Sequence, residues 1–149
     1  MRTCATALIV LLGCTFSQTP APAVLSVEAR RTALIDRHNR HRDAPLLHHP
    51  ELTTAAQSHA EWMAGMQIMS HSGQDGSTPA GRIVDAGYSW STYGENIAYG
   101  QQSPESVMRA WLGSPGHRRN IKSSSYGDIG VGIATADNGH KYWCVTFGS

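Results

Sequence analysis

The stretch that most constrains this chain runs from Asp128 to Ala134. There Ile129, Val131 and Ile133 alternate with Gly130 and Gly132. Alternation with a period of two puts the three branched side chains on one face of a strand. The other face is bare at the glycines, as in a strand whose backbone is packed close against something. Asp137-Asn138-Gly139 follows, and Asn-Gly accepts the positive φ angles that tight hairpins use. Beyond it Tyr142, Trp143, Val145 and Phe147 make up a return strand. The chain is therefore expected to end in an antiparallel hairpin covered by helices.

The helices come earlier. Ser26 is placed to cap a first helix, with Val27, Leu34, Ile35 and His38 at helical spacing and Pro45 as its stop. His49-Pro50-Glu51 opens a second, whose apolar face is Leu52, Ala55, Ala56, Ala60, Met63 and Ala64. Thr78-Pro79 opens a short third helix through Val84, and Tyr93 to Tyr99 reads as a strand. Ser103-Pro104-Glu105 starts a fourth helix carrying Val107, Met108, Trp111 and Leu112, and Ser114-Pro115-Gly116 begins a further turn. Helices first and strands last predict an α+β domain, with a small antiparallel sheet and helices packed on it.

The beginning of the chain reads differently. Met1 and Arg2 precede an apolar run from Ala5 to Leu12, and a small-residue stretch ends in Ala21-Pro22-Ala23. That order marks residues 1–23 as a signal peptide, whose apolar run is too short to span a bilayer. Leu11-Leu12-Gly13-Cys14 offers a second reading. Residues 1–13 are then a lipoprotein signal, with Cys14 as the lipidated first residue and membrane anchor. Residues 24–149 form one domain in either case. Of 12 Lys and Arg, Arg2 lies in the leader, which leaves 11 against 11 acids. No basic stripe remains to bind nucleic acid.

Cysteine is scarce. Cys4 and Cys14 lie in or beside the leader, and Cys144 stands alone in the domain, so no internal disulfide is expected. Exported eukaryotic domains of this size usually carry several, which points to a bacterial source. Cys144 sits in a strand-like run and reads as a packed core thiol.

Eight histidines are many for this length. His38 and His59 fall near apolar faces and read as packing residues. His48 and His49 read as a solvated turn, and His140 as exposed. Three segments stand apart: His71-Ser72-Gly73 after the second helix, Gly94-Glu95-Asn96-Ile97 in a strand, and Ser114-Pro115-Gly116-His117-Arg118-Arg119-Asn120-Ile121. An acid in an apolar strand needs partners, so Glu95 asks for a cation, a metal or backbone donors. His and Glu are suitable ligands for a divalent transition metal, but these spacings match no local metal motif.

In this order the segments resemble the CAP superfamily, also called the SCP domain. Ile35-Asp36-Arg37-His38-Asn39-Arg40 looks like its first-helix motif. Leu52 to Ala60, His71-Ser72, Gly94 to Ala98, Ala110-Trp111, Gly116 to Ile121, Gly130-Val131-Gly132 and Tyr142 to Gly148 look like the rest. Ser-Pro-Gly-His-Arg is typical of the bacterial branch. The resemblance implies an α-β-α sandwich with a cleft of two histidines and two acids, sometimes holding zinc or magnesium. His71 and His117 match the histidines and Glu95 one acid, a candidate metal set of three. Ser72 and Asn96 are supporting cleft residues. The other acid falls at Ser114, which could instead cap the helix bearing His117. Alternatively, the trio simply hydrogen-bonds together and ties helices to sheet.

The implied function is an exported module, secreted or held at the cell envelope, that binds an extracellular protein or a small apolar ligand. A metal-dependent hydrolase using the same cleft is the alternative. The missing acid at Ser114 favours binding.

Overall fold

The computed structural model describes residues 25–149. The leader, Cys14 and the Ala23 cleavage point lie outside the described residues. In chain order the elements are α1 (Val27–Asn39), β1 (Leu47–His48), α2 (Pro50–Met66), α3 (Pro79–Asp85), β2 (Tyr93–Tyr99), α4 (Pro104–Gly113), α5 (Pro115–Lys122), β3 (Asp128–Thr135) and β4 (Lys141–Gly148), with a 3-10 turn at Gln74–Gly76. No described helix is long and apolar enough to cross a membrane.

The sheet order is β1-β3-β4-β2. The three long strands are antiparallel, as the hairpin reading requires. The two-residue β1 pairs in parallel with β3, so the sheet is mixed rather than purely antiparallel. Strand parity then divides the core into two layers. Ile129, Val131, Ile133, Trp143, Val145 and Phe147 pack against Leu34 of α1 and Val107 and Trp111 of α4. On the opposite face Ile97, Tyr142 and Cys144 meet Ala56, Ala60 and Met63 of α2. The result is the α-β-α sandwich.

The glycines of β3 face α2. A Cβ at Gly130 would stand well under 3.0 Å from the backbone of Leu52 and Thr53, and one at Gly132 equally close to Ala56 and Gln57. Polar side chains join the two backbones there. Thr146 donates to the Leu52 carbonyl at 2.8 Å. The Gln57 amide accepts from Ile133 N–H at 3.0 Å and donates to its carbonyl at 3.2 Å.

Two boundaries differ from expectation. Helix α1 ends at Asn39, six residues before Pro45. The Asn39 side chain accepts from Leu46 N–H at 2.8 Å and donates to its carbonyl at 3.2 Å, so it closes a loop that holds Pro45 outside the helix. In the β3–β4 turn only Gly139 has positive φ, at 81°, and Asn138 does not. Gly139 N–H bonds the Ala136 carbonyl at 2.8 Å, and Ala136 N–H bonds that of His140 at 2.9 Å. This is the longer hairpin loop with one left-handed glycine, not the two-residue turn.

His38 and His59 pack in the interior, as expected. His38 Nδ1 donates to the Leu34 carbonyl at 2.8 Å, and its ring lies between Trp111 and Phe147. His38 Nε2 is buried without a partner. His59 Nε2 donates to the Ser70 carbonyl at 2.8 Å, and its ring stacks on Trp62. His48 and His140 are exposed.

Candidate functional site

Strand β2 is the sheet edge that positions the site. Its alternation points Glu95 toward the α2 layer, in register with Thr146, and Asn96 toward the opposite one. The loop after α2 reaches Glu95 from one side and α5 reaches Asn96 from the other. That loop turns on Gln67, whose left-handed φ of 54° ends α2.

Glu95 is nearly fully buried, with its side chain 2% exposed. His71 Nδ1 donates to Oε1 at 2.7 Å. Arg82 of α3 donates to Oε2 at 2.7 Å and also to the carbonyls of His71 and Ser77. Burial opposes the carboxylate's charge, but the His71 hydrogen bond and the Arg82 guanidinium prevail, and its pKa lies below the usual carboxylate range. The Cys144 thiol donates weakly to Oε2 at 3.5 Å. Burial first, then the Glu95 charge, push that thiol's pKa well up, so it stays a neutral core group.

The other wall is held by amides. Asn96 Nδ2 donates to the His117 carbonyl at 3.1 Å. Asn120 Nδ2 donates to Asn96 Oδ1 at 2.9 Å and reaches the Glu95 carbonyl at 3.2 Å. These bonds fix α5 against the edge strand. Burial, then the nearby His71 charge, lower the His117 pKa. Its Nδ1 is buried and unpartnered.

His71, Glu95 and His117 therefore face one cleft of about 320 Å³, with Ser114, Gly116, Arg119 and Asn120. They do not form one hydrogen-bonded trio, since His117 bonds neither of the others among the described residues. Ser114 occupies the N-cap position of α5, but its hydroxyl makes no capping bond. Ser72 is exposed, outside the cleft lining. Among the described residues no group of three or more His, Cys, Asp or Glu is arranged to hold a metal. An apolar groove of about 280 Å³ adjoins the cleft, sharing Ser114 and His117 and lined by Met69, Ile97, Tyr99 and Trp111 among others.

Arg82 and Asn120 went unnoticed in the sequence. Asn120 lies within the quoted α5 run, where its neighbourhood was the available signal. Arg82 had none, because its partner Glu95 is brought to it only by the fold.

An α-β-α sandwich with two histidines facing across its sheet edge defines a class of domain. Residues 28–147 match the cysteine-rich secretory protein family, CAP, and the chain belongs to it. It is 32% identical over 120 residues to the uncharacterized Bacillus subtilis protein YkwD, covering 79% of this chain and 47% of that one. A Bacillus subtilis membrane protein, YlbC, matches over 75 residues at 31%, which is 22% of its length. The chain thus spans less than half of these curated relatives. An extracellular SCP-domain protein of Bacillus anthracis has the same fold, with a TM-score of 0.71 and 23% identity over 85% of this chain and 45% of that one. An outer surface protein of Borrelia burgdorferi superposes with a TM-score of 0.69 at 23% identity, covering 79% and 87%.

Proposed function

We propose that this chain is an exported binding module, acting outside the cell or at its envelope, and that its ligand sits in the cleft between His71 and His117. The observation that supports binding is the commitment of Glu95. Both its oxygens are engaged, by His71 and Arg82. A carboxylate so held orients the His71 imidazole, but among the described residues no hydroxyl or thiol is hydrogen-bonded to that ring's other nitrogen as a nucleophile would be. Ser114 supplies no second acid. A hydrolase would need an activated nucleophile or metal-bound water beside such a base. The apolar groove next to the imidazoles suits the apolar part of a ligand or a protein side chain. Export is supported by the leader pattern of residues 1–23, with Cys14 as the alternative anchor.

The residues fit zinc poorly as a three-ligand set. Glu95 could join a metal only by leaving Arg82, whose side chain is 11% exposed and would be left without its counter-charge. His71 and His117 alone remain as donors, with Glu95 behind His71 as the carboxylate that sets its tautomer. A divalent ion held this way would bind weakly.

The test uses the purified exported protein and its His71→Ala/His117→Ala variant with casein and a generic ester, with and without added zinc. No turnover above buffer is expected from either. Turnover by the wild type that disappears in the variant would replace binding with hydrolysis. Fractionation of the producing cells should place the protein in medium or membrane, and a cytoplasmic location would overturn the export reading. The mass of the mature N-terminus separates free protein starting at Val24 from one lipidated at Cys14.

A further inference from the structure

The charges facing the cleft do not balance. Glu95 is the one acid among the lining residues, and Arg82 neutralises it from behind at 2.7 Å. Ser114, where the implied second acid would lie, contributes only a hydroxyl. On the open side Arg119 lines the cleft, is exposed, and makes no ion pair among the described residues. Arg118 and Lys122 flank it on α5, and all three line the adjoining recess. The ring of His71 is half exposed on the facing wall. The cleft thus offers an uncompensated guanidinium and one uncommitted imidazole, that of His117, with no free carboxylate.

We propose that the cleft recognises an oxyanion, the carboxylate or phosphate group of its ligand, with Arg119 as the principal contact and the uncommitted His117 imidazole as a flanking donor through Nε2. A guanidinium presents paired N–H groups that match either anion, and charge-assisted hydrogen bonds of this kind are among the strongest available. The basic face of α5 would draw an anion toward the cleft mouth. The assignment rests on the reading of the cleft as a binding site, and it deepens that reading by naming the ligand's charge.

The experiment records amide spectra of the isotope-labelled exported protein during titration with inorganic phosphate, sodium acetate, or sodium chloride at matched ionic strength. Saturable shifts of the Gly116, His117 and Asn120 amides are expected with phosphate, acetate or both, but not chloride. The stronger of the two arms identifies the anion. Arg119→Gln should weaken the apparent affinity about tenfold, the value of one charge-assisted bond. Ser114→Glu, which returns a carboxylate to the cleft, should weaken it at least as much. Overturning results are an absence of saturable shifts, shifts equal to those in chloride, or unchanged affinity in both variants. Absent shifts without substrate turnover would remove only the oxyanion assignment, whereas turnover in the hydrolysis assay would remove the binding-module reading beneath it.

Discussion

Acidification from about pH 7 to pH 4 should destabilise the domain by about 3 kcal/mol through His38 alone. Burial, with smaller help from the Arg42 and His41 charges, lowers the pKa of this imidazole from 6.5 to about 4, against the Leu34 carbonyl, which raises it. The unfolded chain therefore takes up a proton between those two values and the folded chain does not. Stability falls with pH across that window and stops falling below the folded pKa, where both states are protonated. Each pH unit of the difference is worth about 1.4 kcal/mol, and half-protonation of the folded state at pH 4 trims the total to about 3 kcal/mol. His38→Leu isolates the effect. It keeps nearly the same volume, and the Leu34 carbonyl retains its helical backbone bond. Urea unfolding followed by tryptophan fluorescence should give a stability gap between wild type and variant that changes by about 3 kcal/mol from pH 7 to 4. His59, His117 and Glu95 titrate in both proteins and cancel. A gap constant to within about half a kcal/mol would show that His38 is not buried in its neutral form.

Other changes have equally direct readings. Gly132→Ala pushes a methyl into the α2 backbone and should cost at least about 3 kcal/mol, the upper range of overpacking, by the same urea assay. Arg82→Met leaves Glu95 buried without its cation and should cost about 3–5 kcal/mol. Part of that loss should return, relative to wild type, when acid neutralises the carboxyl. Cys144 should resist iodoacetamide in the folded protein and react once urea unfolds it, because the buried thiol is kept protonated.

The fold was legible where its signals are local. Ser26, Thr78 and Ser103 each accept a backbone N–H at a helix start, as their hydroxyls beside helical patterns implied. Strand β2 runs from Tyr93 to Tyr99, as read. What escaped depends on distant contacts. β1 is two residues long, and no pattern can show in so few. Asn39 ends α1 through Leu46, a bond that leaves no periodic trace. At the site, spacing could not bring His71 to Glu95, and the resemblance to a family did. The resemblance grouped His117 with them and missed Arg82, the cation that Glu95 required.

The bare face of β3 has a consequence for the distant cleft. Because α2 lies directly on the backbone of β3 at Gly130 and Gly132, its height above that strand has almost no play. His71 hangs from the loop that leaves α2, while Glu95 belongs to the sheet itself. The gap between that imidazole and that carboxylate is thus gauged at Gly130 and Gly132, elsewhere in the molecule. A methyl added there would jack the helix away from its bed, and the His71–Glu95 hydrogen bond would be the first length in the cleft to register it.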